Sequence, residues 1–507
     1  MLRSAPVKRS RCWLPSLPVL QVLQVLGGCA GAQSADATKK PIELDPVIGP
    51  RTPRAAEDAV LPPRSGSASP VAIVGATLLL GTGARIEGGT IVLERGRITA
   101  VGREDQVTTP NGARVVDGRR KFVTPGLIDT HSHLGVYPTP HVKAHADGNE
   151  MTDPTTPYVF SEHSFWPQDP SLERAVAGGV TTMQVLPGSG NVIGGRSVIL
   201  KLHPELEARA MRFPGAANGL KMACGENPKR VYGDTNRQPM SRMGSVFKLR
   251  AAFIKARAYR ATLAEFARDR AKWEKKYELA KEKPLGAEAP GSEPLGPERD
   301  LGLETLADVL DGKIRVQIHC YRADEMLLMI ALAKELGFKI ASFHHAVEAY
   351  KIGDVLAKEG IAASMWADWW GFKIEAYDGI EENVAMVAAA GGQAVVHSDS
   401  PIGIQRLNQE ASKALYAGRR AGLALTEDQA LQWVTLNPAR VLGIDGETGS
   451  LEVGKMADVV LWDQSPLSIY AKAEQVFIDG ALVFDAKTSG VRWSDFEVGS
   501  AIEEVHP

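Results

Sequence analysis

His131-Ser132-His133 ends an apolar run, Phe122-Val123-Thr124-Pro125-Gly126-Leu127-Ile128-Asp129-Thr130. Successive side chains of a strand alternate faces, so histidines two apart project from one side, a few ångströms from each other. Two imidazoles so placed could ligate one metal ion, and the chemistry to expect is metal-assisted hydrolysis. Solvated loop histidines would give the same pair, so the reading turns on ligands downstream. The apolar runs 314–318, 340–343 and 394–396 lead into His319, into His344-His345 and into His397-Ser398-Asp399. Ionisable groups at several apolar strand ends are costly unless liganded or hydrogen-bonded, which favours a metal site.

The elements that would position these groups follow from patterning. Apolar runs at 123–130, 180–185, 220–223, 314–318, 340–344, 361–365 and 394–396, with a further short one at 198–202, alternate with amphipathic helical segments. That alternation predicts an α/β fold, a (β/α)8 TIM barrel over residues 123–445 with its site at the C-terminal strand ends. Short strand-like pieces precede it (71–74, 90–93, 97–101, 114–116) and others follow it (458–462, 475–478). They are expected to meet in a small composite β-sandwich built from both chain ends, residues 70–122 and 446–490. Residues 246–283 are densely charged with apolar residues at helical spacing, and prolines break the pattern over 284–297. This reads as a helical insertion of about 240–300 in a barrel loop, either a solvated packing element or a lid.

The 507 residues, 44% hydrophobic and 23% charged with a formal net charge of -2, suit one large domain and a smaller companion. Nothing basic enough to bind nucleic acid is present, and a small-molecule substrate is the expectation. Lys8, Arg9 and Arg11 precede a mostly apolar stretch to Leu26, then Gly27-Gly28-Cys29-Ala30. That is the layout of a secretory signal. Leu26-Gly27-Gly28-Cys29 also resembles a bacterial lipoprotein box with a lipid anchor at Cys29, the competing reading being cleavage near Ala30-Gly31-Ala32. Residues 1–29 are therefore expected to direct export, to the periplasm or to a membrane anchor, and 30–69 to form a disordered tether. Of four cysteines, Cys224 and Cys320 fall near strand ends as core thiols, with a disulfide between them left open. A homo-oligomer is expected.

Pro125-Gly126-Leu127-Ile128-Asp129-Thr130-His131-Ser132-His133, the histidines His319 and His345, and Ser398-Asp399-Ser400 resemble the amidohydrolase superfamily, in particular its imidazolonepropionase-like and prolidase-like branch. Asn437-Pro438-Ala439-Arg440-Val441-Leu442-Gly443 and Gly454-Lys455-Met456-Ala457-Asp458-Val459-Val460 resemble that group's closing helix and return strand, so the likeness spans roughly 70–485. The resemblance implies two divalent metals, expected to be zinc: His131, His133 and Asp399 on the more buried one, His319 and His345 on the second. It also implies a bridging group on the fourth strand. Lys221, as a carboxylated lysine, is the candidate and Glu226 the alternative, since an unmodified ammonium would repel the metals. His345 is chosen over His344 because His345-Ala346-Val347-Glu348-Ala349-Tyr350 matches the family pattern; His344 and His397 are expected behind the ligands. The two adjacent histidines should point to opposite faces if the strand persists.

A metal ion would lower the pKa of bound water to about 7, and Asp399 would accept the proton and pass it to the leaving amine. The loop Gly188-Ser189-Gly190-Asn191-Val192-Ile193-Gly194-Gly195 could admit close substrate approach, with Asn191, Gly194 and Gly195 as contacts. No Gly-Lys-Ser/Thr follows it, which argues against a phosphate cradle. The expected substrate is a dipeptide or N-acyl amino acid. Hydrolysis of a cyclic amide or imine, deamination, and a catalytically silent surface-anchored binding protein are the other readings.

Overall fold

The computed structural model describes residue 44 and residues 69–285 and 287–488. The expected export segment 1–29 and nearly all of the expected tether lie outside the described residues. The described residues fall into two compact units, one holding residue 44 and Ala271–Glu293 and the other the remainder. Among them no helix is long and apolar enough to cross a membrane.

In chain order the strands are β1 (Val71–Leu79), β2 (Arg85–Glu94), β3 (Arg97–Arg103), β4 (Arg114–Asp117), β5 (Phe122–Pro125), β6 (Leu127–Ser132), β7 (Val180–Val185) and β8 (Ile193–Lys201). There follow β9 (Gly219–Ala223), β10 (Arg315–Cys320), β11 (Ile340–His345), β12 (Ala362–Met365), β13 (Ala394–Val396), β14 (Val459–Trp462), β15 (Ala473–Ile478) and β16 (Ala481–Asp485). They form two sheets. One runs β16-β15-β14-β5-β1-β2-β3 with β4 paired to β1, and the other runs β6 through β13 in sequence order. In the first sheet the two ends of the chain are stitched by antiparallel β5 and β14, from Pro125 opposite Val459 to Phe122 opposite Trp462. The buried Trp462 indole donates to Thr124 Oγ1 at 2.9 Å, so the aromatic ring fills the junction without an unpaired N–H.

In the second sheet β6 and β7 run parallel, as do β9 through β13, but β8 is antiparallel to both its neighbours. This corrects the expectation of eight parallel strands with a short one at 198–202. The chain instead turns straight back after β7 in the glycine-rich loop, so no crossover helix separates β7 from β8 and a parallel pairing is excluded. The sheet curves until β6 and β13 face each other. Val396 N–H donates to Trp433 O at 3.0 Å and Ile128 N–H to Val434 O at 2.9 Å, so backbone from further along the chain fills the gap at one end. At the other, Asp399 N–H donates directly to His131 O at 3.0 Å.

The apolar run that reads as one strand over 123–130 is two, belonging to different sheets. Gly126 separates them, because a Cβ there would lie 2.0 Å from Thr181 Oγ1. Only glycine lets the chain cross from one sheet to the other at that point. β16 has no counterpart among the sequence expectations; its five residues are too few for a pattern.

The charged segment forms the helix Arg242–Glu282, four residues earlier at its start than expected. Within the main unit Leu249 and Phe253 are buried, Phe253 stacks on Phe338 at 4.5 Å, and Arg250 pairs with Glu335 at 2.8 Å. In the small unit Trp273 Nε1 donates to Gly291 O at 3.0 Å, folding the segment after the helix back along it. Elsewhere, Lys201 on β8 is buried between Asp458, at 2.9 Å, and Asp479, tying the second sheet to the C-terminal strands.

Candidate metal centre

β6 is buried along its whole length, and its C-terminal end carries the first ligand candidates. Asp129, two residues before His131, accepts from the backbone N–H of His131 at 3.0 Å and of Ser398 at 3.2 Å, and from the Ser398 hydroxyl. A buried carboxylate thus clamps the ends of β6 and β13, although burial itself pushes its pKa up to about 6. On this frame His131 Nε2, His133 Nε2 and Asp399 Oδ1 converge, with separations of 3.3, 3.3 and 3.6 Å. Ligands about 2.0–2.1 Å from a tetrahedral zinc stand about 3.3–3.4 Å apart, so these three atoms fit one face of a coordination shell.

Hydrogen bonds behind the imidazoles fix which nitrogen faces inward. His133 Nδ1 donates to Leu186 O at 2.8 Å, leaving the Nε2 lone pair free. With Gln317 oriented as in the structure, its Oε1 accepts from His344 Nε2 at 3.2 Å. His344 Nδ1 then accepts from His131 Nδ1 at 2.6 Å, and His131 Nε2 keeps its lone pair toward His133 and Asp399. Such relays raise the basicity of a metal-binding imidazole and set its angle.

His319 at the end of β10 and His345 at the end of β11 stand side by side, ring centroids 4.5 Å apart. Among the described residues the Nδ1 of each is buried without a hydrogen-bond partner, and His345 Nδ1 lies 3.8 Å from Asp399 Oδ2. Buried imidazole nitrogens without partners are uncommon, and coordination to a metal ion would satisfy them. The donor set, imidazoles with one carboxylate reaching both halves, therefore fits divalent metal. Burial is the main force holding the histidines neutral: His131, His319, His344 and His345 are driven well below their usual range, and His133 and His397 down to about 3. Neutral imidazole is the ligating form.

Lys221 on β9 is buried, its Nζ 3.2 Å from His131 Nε2, and among the described residues no carboxylate lies within ion-pair distance of it. Burial lowers its pKa, while burial raises that of Asp399 against the opposing charge of Lys221. Glu226, the alternative bridging group, opens the helix Glu226–Gly233 and faces Lys373 at 3.8 Å rather than the histidines.

Three non-glycine residues at the site adopt left-handed backbone: His345 (φ 69°), Ala346 (φ 38°) and Asp399 (φ 48°). Such conformations persist only where surrounding structure imposes them. They also correct one expectation. The strand geometry breaks at His345, so His344 and His345 do not diverge to opposite faces; both flank His131, at 4.8 and 4.7 Å between ring centroids. His397 Nε2 accepts from the His345 backbone N–H at 3.2 Å, which commits that lone pair to the backbone although His131, His345 and His397 are close enough to share an ion.

Asn191, expected as a substrate contact, is buried and spent on the protein: its Nδ2 donates to Glu150 O and Thr156 Oγ1, and its Oδ1 accepts from Tyr232 OH. It anchors the loop. Gly194 and Gly195 are likewise packed, the first 3.2 Å from Gly188 O at its would-be Cβ, the second at φ +121° against Val159.

Sequence reasoning missed Gln317, Asp129 and the aromatic residues beyond the histidines. Asp129, a lone ionisable residue within an apolar strand, carried a signal of its own. Trp366 stacks on His345 at 4.3 Å and donates its indole N–H to Ser398 O at 3.1 Å. Tyr321 lies 4.9 Å from His319 and 5.2 Å from His345, ring to ring.

The Amidohydrolase family profile matches residues 377–488. The chain is 34% identical over 412 residues to the amidohydrolase tasK of Hapsidospora irregularis, covering 78% of this chain and 40% of that protein, so it spans well under half of that relative. It is 24% identical over 434 residues to an imidazolonepropionase of Alkaliphilus metalliredigens, covering 79% of this chain and 91% of the other. Among solved structures, an amidohydrolase of Thermotoga maritima MSB8 aligns with a TM-score of 0.70 at 34% identity, over 82% of this chain and 100% of that one.

Proposed function

The chain belongs to the amidohydrolase family, hydrolases that act on carbon–nitrogen bonds, and from that premise we propose that it cleaves the amide bond of a small substrate, a dipeptide or an N-acyl amino acid. The observation that carries this reading is the convergence of His131, His133 and Asp399 within 3.6 Å, with the unpartnered nitrogens of His319 and His345 beyond. In the proposal His131, His133 and Asp399 hold one zinc ion, and His319 and His345 a second. Lys221, if carboxylated, would supply the oxygen donor for both ions, which would account for a buried amine that has no carboxylate partner among the described residues. When bound, the metals would activate water and polarise the scissile carbonyl.

The protein's own groups do the rest. Asp399 Oδ1 and Oδ2 reach toward the two histidine sets, so its carboxylate is placed to take a proton from water and hand it to the leaving amine. Its burial raises its proton affinity in the direction that task requires. Trp366 and Tyr321 cover the rings of His345 and His319 and keep bulk water from that side. The separate apolar cluster of Ile73, Leu78, Ile91, Val123, Leu461 and Phe477 supports the reading of the first sheet as a companion β-sandwich. The Cys224–Cys320 disulfide supports export to an oxidising compartment.

Metal analysis together with a substrate screen tests the proposal. About two zinc equivalents per chain, with zinc-dependent release of amino acid from dipeptides or N-acyl amino acids, is the expected result. The imidazolonepropionase relatives make cyclic amides the second arm; turnover there alone would move the substrate class, and one equivalent of metal would remove the bridged centre.

A further inference from the structure

The loop after β12 brings one cation and several aromatic rings to the edge of the histidine cluster. Lys373 Nζ sits 3.8 Å over the centre of the Tyr321 ring, which itself packs against His319 and His345. Asn227 links the same two neighbourhoods, its side-chain amide lying 3.3 Å from His319 Nε2 and 3.4 Å from Lys373 Nζ. Lys373 is therefore one side chain removed from the proposed metal ligands.

Its ion pairs are long ones. The contact to Asn227, at 3.4 Å, is a long one, and the carboxylates of Glu375 and Glu226 stand at 3.6 and 3.8 Å. Glu375 is already bound by Arg242, which also holds Glu325, so it offers Lys373 only part of a charge. Arg230 adds a further positive charge nearby. The ammonium-bearing side chain keeps 15% of its surface open, and donors held only at these long distances can turn to an incoming anion.

Apolar surface lies beside it. Trp369 stacks on Trp366 at 5.1 Å, and Phe372 meets Trp366 edge-on at 5.9 Å. Trp369 is 40% exposed and Phe372 57% exposed. Large aromatic side chains left open in a continuous row beginning on His345 mark a place where apolar ligand surface is buried.

We propose that Lys373 anchors a carboxylate of the substrate while Trp366, Trp369 and Phe372 receive a bulky apolar or aromatic side chain beside it. The substrate class within the amide-hydrolase reading, on which this inference rests, is then an N-acylated or N-aminoacylated hydrophobic amino acid with a free carboxylate. Esters, amides and small polar amino acids are disfavoured.

Binding of compounds without a carbon–nitrogen bond separates this from the reaction itself. Calorimetric titration of the full-length, metal-containing protein with 3-phenylpropionate and with its neutral counterpart 3-phenylpropanol is the measurement. The acid is expected to bind about 10–100-fold more tightly, the range of a charge-assisted contact. Lys373→Met should bring the two within about threefold, and Lys373→Arg should keep most of the preference. Glu226→Gln, which removes a competing negative charge, should tighten the acid severalfold and leave the alcohol unmoved. Equal binding of the two compounds overturns the proposal. So does a preference that survives in Lys373→Met, since the carboxylate would then be held elsewhere, and so does a Glu226→Gln variant that binds the acid no better. A protein that shows the preference yet hydrolyses none of the screened amides would refute the proposed reaction and leave the anchor standing.

Discussion

At the scale of single residues, Asp399 combines roles that are usually divided. It reaches both histidine sets, its backbone N–H closes the seam to His131 O, and its own backbone is held at φ 48°. Asp399→Asn keeps an oxygen for coordination and the backbone bond but cannot carry a proton. The expected result is a loss in kcat of about 100-fold or more, with most of the zinc retained by metal analysis. Full activity in that variant would exclude the proton shuttle. The histidines and Asp399 were legible in the sequence because each ends an apolar run, where an ionisable group is costly to bury unless it binds something. Gln317 and Trp366 were not, because their importance lies in what they touch across the sheet and neither type is unusual in a strand or loop. Asn191 misled for the converse reason: a polar residue among glycines looks available until its three partners, drawn from distant segments, are seen.

At the scale of elements, the site depends on how strand ends are held in register. Cys224 and Cys320, just past Lys221 and next to His319, are joined by a disulfide with Cα atoms 5.3 Å apart, closing 96 residues of sequence. Replacing both by alanine is expected to cost about 2–5 kcal/mol, from the loop closed in the unfolded chain. Urea unfolding with and without reductant measures it, and a variant that unfolds at the wild-type midpoint would show the crosslink to be idle. β8 is held from its other end by Lys201 between Asp458 and Asp479. Lys201→Met leaves two buried carboxylates without their cation and is expected to destabilise by about 3–5 kcal/mol, read from the same unfolding curves; less than about 1 kcal/mol would mean the aspartates are otherwise satisfied. The direction of β8 was not legible. Its residues read as a strand either way, and what reverses it is the absence of a helix after β7, a matter of loop length rather than of side-chain pattern.

For the molecule as a whole, the burial that makes good metal ligands is a liability without the metal. Six histidines are kept neutral by desolvation, His133 and His397 down to about 3. Unfolded, each would titrate near about 6.5. Between those values the unfolded chain binds more protons than the folded one, so stability falls as pH falls through that window. Each histidine can contribute up to about 1.4 kcal/mol per pH unit. Chelator-treated protein should therefore unfold at markedly lower urea at about pH 5 than at about pH 7.5, and zinc should raise the midpoint more at about pH 7.5 than at about pH 5; a flat profile without metal would contradict neutral burial. The alternation of strands and helices was readable at this scale because each buried strand needs its own apolar run. The crossing at Gly126, where one run serves two sheets, was hidden inside that same regularity.

The seam between β6 and β13 bears on how the protein comes into being. His131 and Asp399 are 268 positions apart and yet share a backbone hydrogen bond, and Trp433 and Val434 must arrive later still to fill the other end of the gap. Contacts of such long sequence separation form late, because the intervening chain must be made and ordered first. A ribosome that has delivered both histidines of the opening pair has delivered no working centre. The two halves of the proposed metal site meet only once residue 399 has been made, so a chain terminated before that point lacks the carboxylate that reaches both histidine sets.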